Sequence, residues 1–246
     1  MRLDVDIRCE LRSPGRSFHL QVRFTLSEEL AVLYGPSGSG KSSTLHAIAG
    51  LLRPHAGRIS LGDDVLFDAT AGIDVPARRR GMGYVFQEYA LFPHRTVFQN
   101  VAAPLAPLLG HRLGAQERAH VESLLAAFEL TPIAGSYPSQ ISGGQRQRTA
   151  LARALAAGPR LLLLDEPFNA LDSDLRARMR REVLQIRERF KVPILLITHD
   201  EADAAVFGRQ VIRIEEGRIV EARPRAGFDL GTKTSKDAIG ARHRRF

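Results

Sequence analysis

The stretch that decides the fold spans residues 31–52, AVLYGPSGSGKSSTLHAIAGLL. It opens with an apolar run, Ala31 to Tyr34, and continues into a loop of glycine and serine at residues 35–43. Apolar residues then recur at helical spacing, at Leu45, Ile48, Ala49 and Leu52. The sequence therefore predicts a buried strand, a glycine-rich loop and a helix, in that order.

The loop fits the pattern Gly-x-x-x-x-Gly-Lys-Ser, which ends at Lys41 and Ser42. Glycines let backbone N–H groups face a phosphate, and the N-terminus of the next helix adds the positive end of its dipole. We expect Lys41 to reach the outer phosphates of a nucleotide and Ser42 to ligate Mg²⁺. The predicted phosphate-binding residues are Gly35, Pro36, Ser37, Gly38, Ser39, Gly40, Lys41, Ser42 and Ser43.

A second element supplies the carboxylates that a magnesium–phosphate site needs. Four consecutive leucines, residues 161–164, run directly into Asp165 and Glu166, and Pro167 ends the predicted strand. Asp165 is placed to organise the metal ion. Glu166 lies one residue further, where a carboxylate can orient and deprotonate an attacking water.

A second cradle for an anion is predicted at Ser142, Gly143, Gly144 and Gln145, where a helix rich in Ala and Leu begins. One chain would then have two anion cradles but a single magnesium site. This arrangement makes sense if the second cradle serves a phosphate that another copy of the chain binds. The sequence therefore predicts a dimer with nucleotide shared between its two copies.

The remaining pattern predicts an α/β fold with right-handed crossovers between parallel strands. Alternating apolar residues indicate antiparallel strands near the N-terminus, and short apolar runs indicate parallel strands at 161–164 and 194–197. The segment from Glu88 onward turns helical, which indicates an inserted helical subdomain. The expected domain is residues 1–221, with a core of 1–87 and 158–221 and a helical subdomain of 88–157.

The formal charge of +8 would suit a nucleic-acid partner if the charge were concentrated on the folded part. Residues 222–246, however, hold seven Lys or Arg against two Asp, so this segment alone carries +5. Arg78–Arg80 is interpreted as a solvated turn rather than a track for phosphates. We therefore expect no nucleic-acid partner, and a basic, mobile tail at 222–246.

The uninterrupted apolar runs are only a few residues long, whereas crossing a bilayer takes roughly 20. Met1–Asp6 carries acids where a secretory signal would begin with basic residues. The single cysteine, Cys9, alternates in phase with Val5 and Ile7 and is expected to be a buried core residue. The chain is therefore expected to stay in the cytosol, without disulfides.

Six motifs in a fixed order resemble those of an ABC-transporter ATPase subunit. They are the phosphate loop at 35–43, Gln87 after the strand Tyr84-Val85-Phe86, Ser142–Gln145, Leu163–Pro167, Asn169–Asp172 and Thr198-His199-Asp200. The resemblance covers residue 1 to about residue 221. It implies a RecA-like P-loop NTPase core with an N-terminal antiparallel β section and an inserted helical subdomain. It also implies ATP and Mg²⁺ as cofactors and a second copy of the chain as a partner.

The resemblance assigns roles to further residues. Gln87 is expected to sense the metal ion and the attacking water, His199 to contact the γ-phosphate, and the 169–172 loop to communicate across the dimer. The expected catalytic residues are Glu166, His199, Lys41 and Gln87, and the expected metal ligands are Ser42, Gln87 and Asp165. If Glu166 is not the general base, that role returns to His199.

Two departures from the family pattern are expected to leave hydrolysis intact. The signature motif of the family, here Ile141–Gln145, usually opens with leucine. The isoleucine at this position changes packing only. Asn169 stands in the dimer loop where serine is common.

A third departure concerns the adenine base. The family usually stacks adenine on an aromatic residue some twenty positions before the phosphate loop, but residues 12–17 contain none. We expect the guanidinium of Arg12 or Arg16 to stack on the base instead, with loose selectivity for adenine. The alternative is that Phe18 reaches the base, although its phase with Leu20 directs it to the core.

Residues 79–94 look like those of bacterial oxyanion importers, with molybdate or tungstate ATPases the nearest type and sulfate ATPases next. The Phe92-Pro93-His94 loop favours docking on integral-membrane permease subunits, and a solute-binding protein would be an indirect partner. This predicts a peripheral position on the cytoplasmic face of the cell membrane. Only 26 residues follow Val220, so a C-terminal sensor domain is not expected.

Two other classes remain open beside the importer. One is a cytosolic ABC scaffold ATPase, such as those of iron–sulfur assembly, and the other is an ABC ATPase linked to nucleic acid. The second is disfavoured because the sequence has neither long coiled-coil arms nor a tandem cassette. The solute itself cannot be named, because a transported ion would not touch this chain.

Overall fold

The computed structural model describes residues 2–13, 16–105, 113–169, 171 and 173–224. Its strands are β1 (Leu3–Ser13), β2 (Arg16–Leu26), β3 (Leu30–Tyr34), β4 (Ala56–Leu61), β5 (Asp64–Asp68), β6 (Ile73–Asp74), β7 (Met82–Val85), β8 (Leu161–Asp165), β9 (Ile194–Thr198), β10 (Gln210–Glu215) and β11 (Arg218–Pro224). Its helices are α1 (Lys41–Ala49), α2 (Val97–Ala102), α3 (Ala115–Ala127), α4 (Gly143–Ala156), α5 (Ser173–Phe190) and α6 (Glu201–Phe207).

These strands form one sheet in the order β6-β5-β4-β1-β2-β11-β10-β3-β9-β8-β7. The half from β10 to β7 is parallel, whereas β2, β1, β4, β5 and β6 pair antiparallel. Strand β11 joins the halves, because it pairs antiparallel with β10 and meets β2 in parallel at Arg218 and Gln21. The predicted α/β sheet with an antiparallel N-terminal section is therefore confirmed.

The parallel half is covered on both faces, which explains the uninterrupted leucines of β8. Leu161 and Leu163 pack with Leu45 and Ile48 of α1 on one face. Leu162 and Leu164 face the other side, with the buried residues of α3, α4 and α5. Cys9 is buried in the first of these clusters, as predicted.

Helices α2, α3 and α4 fall within the segment predicted as a helical subdomain, and the described part of that segment contains no strand. Val121, Leu124 and Leu125 form the buried face of α3. Capping boxes begin α2 at Thr96 and α4 at Ser142. Across the described segments, every helix is too short or too polar to span a bilayer.

The C-terminus of α1 is held by a buried arginine. Arg80 donates through its guanidinium to Ala47 O at 2.8 Å and Ile48 O at 3.0 Å, and it pairs with Asp74 at 3.0 Å. The interpretation of Arg78–Arg80 as a solvated turn is therefore wrong for Arg80. The physical reason is that the last carbonyls of a helix have no partner within it and attract a donor. Arg80 thus anchors the helix whose other end carries the phosphate loop.

The last hairpin of the sheet, β10–β11, was not predicted. Strand β11 continues to Pro224, so three residues of the predicted tail belong to the sheet. The rest of that tail, residues 225–246, lies outside the described residues. The hairpin turn touches the phosphate loop, because Gly217 N donates to Ser39 O at 3.0 Å. Gly217 O in turn accepts from Gln21 N at 2.7 Å, which fixes the turn to β2.

Candidate active site

The predicted site residues other than those of the second anion cradle meet at one edge of the sheet. Strands β3, β9, β8 and β7 are parallel neighbours, so their carboxyl ends lie side by side. The phosphate loop follows β3, His199 follows β9, Asp165 and Glu166 end β8, and Gln87 comes soon after β7. Ligand sites of open α/β sheets form at this edge, where successive loops converge.

The phosphate loop is held in place by its own backbone. Gly40 has a φ of 100°, a left-handed conformation that suits glycine, and Lys41 begins α1. Lys41 Nζ donates to Gly35 O at 2.8 Å and Pro36 O at 2.9 Å, and the side chain is only 4% exposed. A Cβ at Gly35 would lie 2.1 Å from Ile214 O, so glycine is required there. The lysine is thus positioned by the loop that surrounds it.

Ser42 and Asp165 lie together, as their predicted role in holding Mg²⁺ requires. Ser42 Oγ donates to Asp165 Oδ1 at 3.1 Å, and the hydroxyl of Tyr84 donates to Oδ2 of the same carboxylate at 3.0 Å. Asp165 is 5% exposed, and this burial raises the pKa of its carboxyl, whereas the two hydrogen bonds lower it. A hydroxyl and a carboxylate are hard oxygen donors, so the donor set fits Mg²⁺.

Glu166 lies at the centre of three interactions. Its carboxylate forms an ion pair with Lys41 Nζ at 3.4 Å, accepts from Asn169 Nδ2, and contacts His199 Nδ1 at 3.2 Å. The side chain is 11% exposed, and the residue has a φ of 44°, which is strained for a residue with a side chain. The turn after β8 therefore directs this carboxylate into the cleft.

A cleft of about 580 Å³ opens over the phosphate loop. Gln87 lies on its wall, together with Glu166 and Asn169. The structure thus brings Lys41, Ser42, Gln87 and Glu166 to one cavity.

One wall of the cleft is apolar, which the sequence did not predict. Leu11 and Phe18 are paired in register across the β1–β2 hairpin, and both are half-buried beside the phosphate loop. The expectation that Phe18 points into the core is therefore only partly right. It shares a face with Leu20, but at this end of the hairpin that face borders the cleft and lies against Gly40. The side chains of Arg12 and Arg16, predicted to stack on the base, lie outside the described part of the chain.

The second anion cradle is not part of this cleft. The described wall residues do not include Ser142–Gln145. Ser142 is exposed at the start of α4, where its Oγ accepts from Gln145 N at 3.3 Å and its own N donates to Gln145 Oε1 at 2.9 Å. Ile141, the departure from the usual leucine, is buried in the core, in agreement with a packing role.

The predicted dimer loop is described only in part, because Ala170 and Asp172 lie outside the described residues. Asn169 contacts Glu166, as noted above. Leu171 O accepts from the guanidinium of Arg176 at 3.1 Å, and Arg176 also pairs with Asp200 at 3.0 Å. The loop is therefore linked to the residue that follows His199.

Sequence reasoning missed two contacts at the site. Tyr84 was quoted only as part of a strand, although its alternation with Met82 places both on the face of the sheet that α1 covers. Gln147 of α4 lies outside the predicted motifs, yet it is fully buried and donates to Pro167 O at 3.2 Å. A buried polar residue on an otherwise apolar helix face is the signal that could have found Gln147.

Comparison with known proteins agrees with this geometry. Residues 20–169 match the family described as ABC transporter. This match extends over more than half of the chain and includes the phosphate loop, the signature segment and the two carboxylates of β8. The chain belongs to the ABC transporter family.

Several relatives are similar to the chain at higher identity. A sulfate/thiosulfate import ATP-binding protein of Agrobacterium fabrum is 44% identical over 195 residues, which are 79% of this chain and 55% of that protein. The corresponding protein of Bradyrhizobium diazoefficiens is 46% identical over 194 residues, or 78% of this chain and 54% of that protein. The chain therefore spans about half the length of these relatives.

A solved structure shares the fold. The dimeric post-hydrolysis structure of the ATP-binding cassette MJ0796, bound to ADP and Pi, matches with a TM-score of 0.76 and 30% identity. The match covers 93% of this chain and 100% of that one. The predicted P-loop NTPase fold is thereby confirmed.

Proposed function

We propose that the protein is the ATP-hydrolysing subunit of an ABC importer. The observation that carries the proposal is the convergence of Lys41, Ser42 and Glu166 on one cleft over the phosphate loop, with Asp165 hydrogen-bonded to Ser42. These residues supply a cation, two oxygen ligands for a metal ion and a carboxylate base. The relatives at 44% and 46% identity, named as import ATP-binding proteins, support the importer class.

The chemistry follows from the positions of these side chains. The loop N–H groups and Lys41 would bind the phosphates of ATP, and Ser42 and Asp165 would hold Mg²⁺, which would supply positive charge to neutralise the charge that develops on the phosphates. Glu166 accepts a proton from the water that attacks the γ-phosphate. His199 Nδ1 lies 3.2 Å from Glu166 Oε2, so His199 would orient that carboxylate, and the family resemblance gives it a contact with the γ-phosphate. Gln87 lies on the cleft wall, where it would sense the metal ion and the water.

A second copy of the chain completes the site in this proposal. The exposed N-terminus of α4 offers Ser142 and the backbone N–H groups of Gly143 and Gly144 to a phosphate. Within one chain these groups are absent from the described wall of the cleft. The dimeric structures of MJ0796 support a pair of copies.

The proposed membrane partner is a permease that contacts the loop after β7. Phe92 is 39% exposed there, and the guanidinium of Arg95 lies 4.6 Å from its ring. An exposed aromatic ring beside a cation suits a protein partner. The protein would then be peripheral to the membrane, on the side where ATP is available.

The proposed solute is an oxyanion. The relatives described above are named for sulfate/thiosulfate import, which favours the sulfate alternative. Their names give no support to molybdate or tungstate, the type expected first from the sequence. A solute-binding protein remains an indirect partner.

The function is tested by the variant Glu166→Gln. The amide can still hydrogen-bond the attacking water but cannot take its proton, so turnover should fall on the order of a hundredfold or more. Binding of ATP should persist, and ATP-bound dimers should accumulate on gel filtration. The matched control is Glu188→Gln on the exposed face of α5, which should leave turnover unchanged. Full activity of Glu166→Gln would remove Glu166 from the base role and return it to His199.

A further inference from the structure

Tyr84 contacts the carboxylate that is proposed to hold the metal ion. It lies on β7, the strand next to β8, and its hydroxyl donates to Asp165 Oδ2 at 3.0 Å. The other oxygen, Oδ1, accepts from Ser42 at 3.1 Å. The two oxygens of Asp165 therefore have different partners. Oδ2 accepts from the phenol of Tyr84, and Oδ1 accepts from Ser42, the other proposed ligand of Mg²⁺.

The phenol is fixed in its position by its ring. The ring of His46 stacks on Tyr84 with centroids 5.7 Å apart, and the ring of Phe86 lies 4.3 Å away. A phenol donates through its O–H group, and here this group donates to the carboxylate of Asp165.

Burial makes this hydrogen bond important. Asp165 is 5% exposed, so water cannot easily replace a lost donor. The terminal torsion of an aspartate is broad, and a carboxylate held at one oxygen only can turn. With Oδ2 fixed by Tyr84, Oδ1 keeps its direction toward Ser42.

We propose that Tyr84 is a positioning residue that presents Oδ1 of Asp165 to Mg²⁺ and thereby sets the affinity of the site for the metal ion. The inference rests on the proposed function, since it assumes that Ser42 and Asp165 hold the metal. Partners that orient metal ligands are worth on the order of tenfold or more in metal affinity. Tyr84 makes no contribution of its own to the phosphates or to the base.

The test measures how much Mg²⁺ strengthens nucleotide binding. A fluorescent ATP analogue is titrated against the full chain in EDTA and in excess Mg²⁺, in the Glu166→Gln background to prevent hydrolysis. In Tyr84→Phe, the ratio of the two dissociation constants should fall on the order of tenfold, while the constant in EDTA stays unchanged. The matched control is Tyr137→Phe, which removes a phenol hydroxyl from an exposed residue of the helical subdomain and should change neither constant.

Each outcome decides the proposal. An unchanged ratio in Tyr84→Phe overturns the role of Tyr84 but leaves the metal site intact. Equal weakening in EDTA and in Mg²⁺ shows that the hydroxyl only supports the fold of the cleft, and this also overturns the proposal. If the chain with Tyr84 intact gains no affinity from Mg²⁺, the metal assignment of Ser42 and Asp165 fails, and the inference fails with it.

Discussion

The protein has two helix N-termini that can receive a phosphate, and they differ in what surrounds them. The N-terminus of α1 begins at Lys41 within a cleft that also contains Ser42 and Glu166. The N-terminus of α4 is exposed, and Ser142 and Gln145 hydrogen-bond to each other across its cap. The first has the ammonium group of Lys41, the proposed metal ligand Ser42 and the proposed base Glu166, whereas the second has backbone N–H groups and a hydroxyl.

This difference indicates a division of labour. A helix N-terminus alone attracts an anion only weakly, because its dipole and N–H groups contribute little at an exposed surface. The N-terminus of α4 therefore suits a phosphate that another site already holds. In the proposed function, the α1 site would bind and hydrolyse the nucleotide, and the α4 site of a second copy would complete the surroundings of that nucleotide.

The largest expected effect comes from placing one defect in each of these regions. Each proposed site combines the α1 N-terminus of one copy with the α4 N-terminus of the other. In a dimer with Lys41→Ala in one copy and Ser142→Arg in the other, both changes fall on the same site, so the other site stays intact. With both changes in a single copy, each of the two sites has a defect. We expect turnover of this second dimer to fall on the order of a hundredfold below that of the first.

The measurement uses dimers purified through two different tags, with ATP turnover and retained nucleotide per dimer as readouts. The matched control is a dimer of two unaltered chains that carry the same tags. If the dimer with both changes in one copy is the more active, each site lies within one chain, and the division of labour is wrong.

The next largest expected effect concerns the apolar wall of the cleft at the α1 site, which Leu11 and Phe18 form. Phe18→Ala should weaken ATP binding roughly tenfold, because stacking of a base on an aromatic ring contributes ~1–3 kcal/mol. A phenyl ring offers no hydrogen bond to distinguish bases, so GTP should be hydrolysed within about tenfold of ATP, a difference of about 1.4 kcal/mol. Both are measured as kcat/KM and as dissociation constants. Weakening in Arg16→Ala but not in Phe18→Ala would instead support the stacking of a guanidinium on the base.

The smallest effect separates the cap of α4 from its proposed role at the phosphate. Ser142→Ala and Thr96→Ala remove equivalent capping boxes, and each should cost about 1 kcal/mol of unfolding free energy. Only Ser142→Ala should also reduce ATP turnover, since Thr96 begins α2 and has no part in the proposed site. Chemical denaturation and turnover assays on both variants check this. Equal turnover in the two variants would leave Ser142 with a structural role alone.

The sequence singles out several residues that the structure brings to one cleft, because this information is local. The phosphate loop, the leucines before Asp165 and the signature at Ser142 each combine a short motif with the start or end of an element. Strands β7, β8 and β9 also follow from short patterns. Each of these predictions depends on residues that are near neighbours in the chain.

The features that were missed depend on which distant elements become neighbours. Arg80 belongs to a run of three arginines, and only the packing of α1 against it selects it for burial. Phe18 borders the cleft because the β1–β2 hairpin lies beside the phosphate loop. Tyr84 reaches Asp165 because β7 pairs with β8. A local pattern does not contain the order of strands in the sheet, so it cannot supply these contacts.

The position of β3 has a consequence for synthesis of the protein. This strand lies between β9 and β10, with Ala31 opposite both Leu195 and Gln210. The phosphate loop that follows it is further fixed by the turn at Gly217. A ribosome makes the loop before its supporting strands, which emerge only after about 160 more residues have been added, and pairing over such separations is slow. The growing chain therefore carries an unpaired apolar strand throughout that interval, and the phosphate loop gains its full support only at the end of it.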